Sequence, residues 1–212
     1  RLAKKKPKKT ILYIGRLVKE KGINVLLKAR EHLIKKGRKY KYVFVGNGPL
    51  RDKLEKLAKK NKDIILPKSV PYEKVHELYS LGNIFFYASL RTKKWEEQYG
   101  YSMLEALASG LPVISTKGIS GPDSIVKDEP FSSTITFGKR DKHSIKCGTG
   151  FLIPEGDYKK LAVDIELLME QDHVLMQMSK NAREDAVKRL SKEVVAKKTY
   201  ELLSKVKHNA TS

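Results

Sequence analysis

Cysteine is nearly missing from this chain. Cys147 stands alone among 212 residues, which excludes an internal disulfide framework and fits a reducing compartment. Long apolar runs are missing as well: none approaches the roughly 18 residues of a membrane span. No secretory leader is recognisable, and the chain opens with "RLAKKKPKKT", without Met, as expected of a piece cut from something longer. There is no Asp-x-Asp and no Cys/His cluster, so nothing suggests a metal site. The histidines His32, His76, His143, His173 and His208 are scattered, mostly in Lys-rich helical surroundings, and read as surface residues. Neither a Gly-x-Ser-x-Gly elbow nor the G-x-G-x-x-G dinucleotide spacing is present.

Acidic residues are in short supply. Against 44 Lys and Arg stand 24 Asp and Glu, a net charge of +20. Such an excess attracts nucleic acid, anionic lipid and phosphorylated small molecules. Much of it is Lys on helix faces, as in "LKAREHLIKKGRK" and "RDKLEKLAKKNKD", and a solubilising surface accounts for most of it. A nucleic-acid binder would interleave aromatics with a concentrated basic stripe; no such stripe is seen, and nucleic acid is not expected as a partner.

What is present is alternation. Hydrophobic residues make up 40% of the chain, and short apolar runs alternate with helical patterns from end to end. "TILYIG", "KYVFVG", "DIILP", "IFFYAS", "LPVIST" and "TGFLIP" read as strands. Helices are expected over "GINVLLKAREHLIKKG", over "PLRDKLEKLAKK" with Pro49 in its first turn, over "PYEKVHELYSLG" and around Glu105. Further helices follow Gly156. The pattern implies an α/β fold: a Rossmann-like parallel sheet with helices on both faces, plus carboxyl-terminal helices. We divide the chain into a basic segment (1–9), one Rossmann-like domain (10–190) and a final helix with a frayed tail (191–212). Residues 127–147 are polar and irregular and read as a surface excursion, with "STITF" as a candidate edge strand. An Asn-Ala-Thr sequon, Asn209–Thr211, lies in the tail.

Ligands of such sheets bind at the carboxyl ends of the strands, and the unusual residues gather there. "GRLVKEKG" after the first strand offers Gly15, Arg16 and Lys21 before a helix start, an anion site on physical grounds. "GNGP" after the second supplies Gly46 and Gly48. In "WEEQYGYSMLEALASGLPVIST", Gly100 is expected to let backbone approach a ligand, and the amides of Tyr101, Ser102 and Met103 open a helix. Met103, Leu104, Ala106, Leu107 and Ala108 cover most of that helix, so it reads as buried. Glu105 in its middle is then a desolvated carboxylate, satisfied either by a neighbouring Lys or amide or by the two hydroxyls of a ribose-like diol. Asp123, in "KGISGPDSIV", is expected to cap the short helix there.

These turns together resemble the carboxyl-terminal domain of a retaining glycosyltransferase of family 4, group 1, with the two-domain GT-B architecture. The residues that carry the resemblance are "GRLVKEKG", "VGNGP", "EQYGYSMLEALASGLPVIST" with its Glu-x7-Glu spacing from Glu97 to Glu105, and "SGPDSIV". It runs from about Thr10 to Val126 and resumes at "GTGFLIPEGD". The resemblance implies that Arg16 and Lys21 hold a donor diphosphate and that Glu97 binds the transferred sugar. It also implies that Gly100, Tyr101 and Ser102 present amides to sugar or phosphate, and that Glu105 takes the ribose hydroxyls. Gly15, Gly46 and Gly48 would shape the nucleotide pocket, with the loop Pro67–Val70, including Ser69 and Val70, near the base. Two departures stand out: Ser120–Gly121 replaces a frequent Gly-Gly, and residues 127–147 exceed the usual connection.

On this reading the chain is the donor-binding half of an enzyme that transfers sugar from a nucleotide diphosphate sugar with retention. No cofactor or divalent metal is expected, and the acceptor-binding domain is an amino-terminal part not seen in this chain. The location implied is cytoplasmic, with the basic faces suited to the anionic inner face of a membrane. An epimerase or phosphorylase of the same architecture is the alternative, and a basic nucleic-acid-binding module a more distant one.

Overall fold

The computed structural model describes residues 9–67, 70–128 and 147–210. Ser69, the tail beyond residue 210, most of the basic segment and most of the 127–147 excursion, including "STITF", lie outside these residues. The described residues form one six-stranded parallel sheet in the order β3-β2-β1-β4-β5-β6. Its strands are β1 (Thr10–Ile14), β2 (Lys41–Val45), β3 (Ile64–Ile65), β4 (Ile84–Tyr87), β5 (Val113–Thr116) and β6 (Gly150–Ile153). Every residue of β1, β4 and β5 is buried, as strands covered on both faces require.

Helices α1 (Ile23–Lys35), α2 (Arg51–Lys60), α3 (Val75–Leu78), α4 (Tyr101–Ala108), α5 (Ser120–Ile125), α6 (Tyr158–Glu170), α7 (Asp172–Leu190) and α8 (Lys192–Ala210) fill the connections and the carboxyl-terminal part. Parallel crossovers are right-handed, so α1 and α2, leading leftward from β1, lie on one face. The connections leading rightward to β4, β5 and β6 lie on the other. The last helices serve both layers: α6 packs on α1 and α7 on α4. Asp157 caps α6 by accepting hydrogen bonds from the amides of Lys159 and Lys160.

Three local expectations need correction. "DIILP" contributes only two strand residues, because β3 is an edge strand with β2 as its one neighbour. "PYEKVHELYSLG" is one short turn of α-helix between 3-10 turns at Tyr72–Lys74 and Tyr79–Leu81. Pro49 precedes α2 rather than opening it. The two ends of the excursion are tied together: Lys127 donates its amide to the Thr149 hydroxyl at 2.9 Å, and the Thr149 amide donates to the Lys127 carbonyl at 2.9 Å.

The outer edge is clamped by a buried cation. Arg30 of α1 is 7% exposed. Its guanidinium donates to both carboxylate oxygens of Asp63, at 2.6 and 2.9 Å, and to the Asn61 side chain at 3.0 Å. Burial pushes the Asp63 pKa up, but the Arg30 hydrogen bonds and charge outweigh it and hold the carboxyl below its ordinary value. The pair therefore stabilises the fold above the carboxylate's unfolded pKa and is lost as pH falls through the folded one. Asp63→Asn is expected to cost about 1–2 kcal/mol at pH 7, read from urea midpoints, with the gap to the parent closing below about pH 4. Equal midpoints at neutral pH would remove the clamp from the account.

Candidate functional site

The strand order reverses direction between β1 and β4, and the loops that leave their carboxyl ends bound a crevice. The first loop runs from Gly15 through a 3-10 turn, Lys19–Lys21, to Gly22, which takes a left-handed conformation at the start of α1. The second runs from Ala88 to Gly100, the residue preceding α4. They are joined directly: the Leu90 amide donates to the Glu20 carbonyl at 2.7 Å.

At their junction sits a nearly buried ion pair. The Lys21 ammonium contacts the Glu97 carboxylate; their side chains are only 12% and 10% exposed. Glu97 Oε2 also accepts from the Tyr87 hydroxyl at 2.7 Å and from the Ser89 hydroxyl at 3.2 Å. Lys21 donates to the same Tyr87 oxygen at 2.8 Å. Its ammonium lies 4.8 Å from the Tyr87 ring centre and 4.5 Å from that of Trp95. A charged pair out of water is tolerable only when its remaining hydrogen-bonding capacity is met; here strand β4 and its exit supply the partners. Burial, followed by the Glu97 hydrogen bond and charge, pushes the Tyr87 phenol upward, and burial with the Glu97 charge does the same for Tyr13. Both phenols stay neutral donors at physiological pH.

The start of α4 faces the same cluster. Ser102, in its first turn, lies close enough to the Tyr87 phenol to oppose slightly the upward pull on its pKa. Among the described residues the amides of Tyr101 and Ser102 have no acceptor, as the first turn of a helix dictates. They are open to an anion. Gly100 has a reason of its own: φ is 79°, and a Cβ there would meet Met103 Cε at 2.4 Å and the Tyr87 ring at 3.2 Å. The left-handed backbone itself favours glycine here, whatever a ligand demands.

Three cavities border these elements. A cleft of about 730 Å³ is lined by Arg16, Lys21, Thr92, Lys94, Trp95 and Glu97. Arg16 is exposed, and its guanidinium has no partner among the described residues. A second cavity of about 490 Å³ is bounded by Gly15, Gly46, Arg51, Pro67, Val70 and Val75. Arg51 braces it by donating to the carbonyls of Gly46, at 2.8 Å, and Pro67, at 3.4 Å. The third, of about 410 Å³, holds Val75, His76, Tyr79, Glu105 and Arg183.

Glu105 does not have the buried environment expected from the sequence. Glu105 is exposed on α4 and accepts from the Tyr79 hydroxyl at 2.6 Å, whereas Glu97 is 8% exposed. Only Met103, Ala106 and Leu107 of α4 are buried; α7 and the sheet cover that side. Asp123 is not an N-cap either. It lies within α5, and its carboxylate accepts from the Gly118 amide at 3.0 Å. The sequence reading missed Tyr87, Tyr79 and Trp95. A tyrosine closing "IFFY", and the only tryptophan of the chain beside Glu97, were the available signals. Among the described residues no group of His, Cys, Asp and Glu is placed to hold a metal ion.

Gly46 and Gly48 are where the first two loops interlock. Gly15 donates to the Val45 carbonyl at 3.0 Å and Leu17 to that of Asn47 at 2.8 Å, so pairing continues past the strand ends. A Cβ on Gly46 (φ 137°) would stand 1.9 Å from the Gly15 carbonyl oxygen, and one on Gly48 (φ 150°) 2.7 Å from that of Leu17. Gly48 lines none of the three cavities.

Comparison with known proteins gives a consistent answer. The family model described as glycosyl transferases group 1 matches residues 1–185. The capsular polysaccharide biosynthesis glycosyltransferase CapM of Staphylococcus aureus is 25% identical over 187 residues, covering 86% of this chain and 42% of CapM. The chain thus spans less than half the length of that relative. A solved structure of S. aureus TarM, in complex with fondaparinux, α-GlcNAc-glycerol and UDP, superposes with a TM-score of 0.73 at 22% identity. The match covers 93% of this chain and 36% of TarM. The carboxyl-terminal domain of the group 1 family protein LpcC from Francisella tularensis gives 0.67 at 23% identity over 88% of both chains.

Gly46→Ala is expected to lower stability by roughly 2–4 kcal/mol, measured by chemical unfolding, because backbone rather than a movable side chain occupies the space. Parent-like stability would show that the interlock yields.

Proposed function

This chain belongs to the group 1 glycosyl transferases, and from that footing we propose that it is the donor-binding half of a retaining transferase that uses a nucleotide diphosphate sugar. The observation that carries the reading is the cleft that gathers Lys21, Glu97 and the uncommitted Arg16 guanidinium, with the bare first-turn amides of α4 following Gly100, which packs against Tyr87. Arg16 and Lys21 are assigned to the donor diphosphate, with the Tyr101 and Ser102 amides beside them. Glu97 orients the transferred sugar. Glu105, with Tyr79, accepts the ribose hydroxyls, and the cavity of Gly15, Gly46, Pro67 and Val70 receives the base. Gly48 acts indirectly by shaping the interlocked loops, and Ser69 is assigned to the base loop from sequence alone. The UDP bound by TarM supports the donor class.

Sugar transfer is limited by breaking the bond between the anomeric carbon and the leaving diphosphate. Fixed positive charge and backbone donors aimed at that diphosphate lower the barrier electrostatically. Two cations supply the charge that a divalent metal supplies elsewhere, and the reaction is proposed to be metal-independent. The acceptor attacks from the side on which the diphosphate leaves, which retains configuration, and Glu97 is not a covalent nucleophile on this reading. We assign the acceptor site to an amino-terminal domain of the whole protein. Helix α8 supports this: Tyr200, Leu202, Leu203 and Val206 are exposed along it, at 74%, 63%, 63% and 59%. A cytoplasmic location, with the Lys-rich faces of α1 and α2 near anionic lipid, completes the proposal.

The test is calorimetry and thermal shift with UDP, GDP and ADP. One of them is expected to bind and raise the Tm, unaffected by EDTA, while sugar transfer by these 212 residues alone is weak or nil. Arg16→Ala and Glu105→Ala are each expected to weaken binding about tenfold. A chain that binds none of the three, or two variants that bind like the parent, would falsify the reading.

A further inference from the structure

Trp95 is the only tryptophan in the chain, and its position is heavily specified. The Thr92 amide donates to the Trp95 carbonyl at 2.9 Å, and the Thr92 hydroxyl does so at 3.3 Å. Just before that turn, Arg91 is pinned from two sides: its amide donates to Glu155 at 2.8 Å, and its guanidinium reaches the Gly118 carbonyl. Just after it, Glu96 accepts from the Ser120 hydroxyl at 3.2 Å. A loop tied down at both ends presents the indole at one place. That place is the wall of the Arg16–Lys21 cleft, with the Lys21 ammonium 4.5 Å from the ring centre.

Lysine is a flexible arm, and immobilising it costs up to about 2 kcal/mol of rotamer freedom. Lys21 is already immobilised. The Tyr87 and Trp95 rings both lie against its ammonium, and Glu97 holds it by charge. Of these holders, Glu97 competes with an incoming anion for the positive charge, and the Tyr87 hydroxyl is shared, accepting from Lys21 at 2.8 Å while donating to Glu97 at 2.7 Å. An aromatic face attracts the cation without neutralising it. Trp95 can therefore steady the ammonium while leaving its charge available to the cleft.

We propose that Trp95 is a positioning residue for the diphosphate: its indole holds the Lys21 ammonium in the orientation that meets the phosphate distal to the nucleoside. The inference rests on the function proposed above and adds a residue to it. It predicts discrimination within one ligand series. UDP, which has the distal phosphate, depends on Trp95; UMP, which lacks it, does not.

The experiment uses the 212-residue chain and compares the parent with Trp95→Leu and Trp95→Phe by calorimetry with UDP and UMP. Trp95→Leu is expected to lose about fivefold in UDP affinity and less than twofold in UMP affinity, with Trp95→Phe regaining most of the loss. In the parent, the emission of this single tryptophan is expected to change saturably with UDP and hardly with UMP, and Lys21→Met to abolish the UDP response. Equal losses for UDP and UMP would mean that the indole merely supports the cleft, and would overturn the proposal. Tighter UDP binding by Trp95→Leu would also overturn it, because the ring would then be holding Lys21 away from the phosphate. A parent that binds UDP with silent emission refutes this inference and leaves the donor-binding reading standing. A parent that binds UDP no better than UMP sinks the role of the distal phosphate and with it this inference.

Discussion

A single ammonium–carboxylate contact organises the working edge of this protein. Lys21 and Glu97 are 76 residues apart in sequence and reach each other only because β1 and β4 are neighbours in the sheet. Burying such a pair is costly unless hydrogen bonds offset it, and Tyr87 and Ser89 at the exit of β4 supply such bonds to Glu97. The loops after β1 and β4 are therefore not independent. Each holds the other through the pair and through the bond from Leu90 to Glu20, so the crevice has defined walls before any ligand enters.

The architecture was legible because it is written in local chemistry. Runs such as "TILYI" and "IFFY" are apolar without interruption, which only strands covered on both faces require, and glycine or proline punctuates the connections. Legibility ended where a neighbour decides. The edge position of β3 shortened a run that reads as a longer strand. The segment before Gly82 broke into 3-10 and α turns, although the connection is as long as the one that holds the ten-residue α2.

The candidate site was legible as a set of residue types at strand ends, but their environments were not. Glu105 was read as buried from the apolar residues around it in α4. Which face of α4 is covered depends on α7, some seventy residues later, and on the sheet beneath, so local periodicity had no access to the answer. Glu97 sits in an unremarkable polar stretch, yet it is the carboxylate that lost its water, because Tyr87 and Lys21 close over it. Gly100 was read as a place where backbone approaches a ligand, and Gly46 and Gly48 as shaping a nucleotide pocket; what lies close to them in the fold is the protein itself: carbonyls of Gly15 and Leu17, and the side chains of Met103 and Tyr87.

Val75 borders two of the three cavities and sits on the short, broken helical segment between β3 and β4. That segment belongs to neither loop of the ion pair. Substitutions around it can therefore drift, reshaping what the outer cavities admit, while the charged centre stays as it is. The shape of the outer cavities and the buried charge pair are thereby free to change independently.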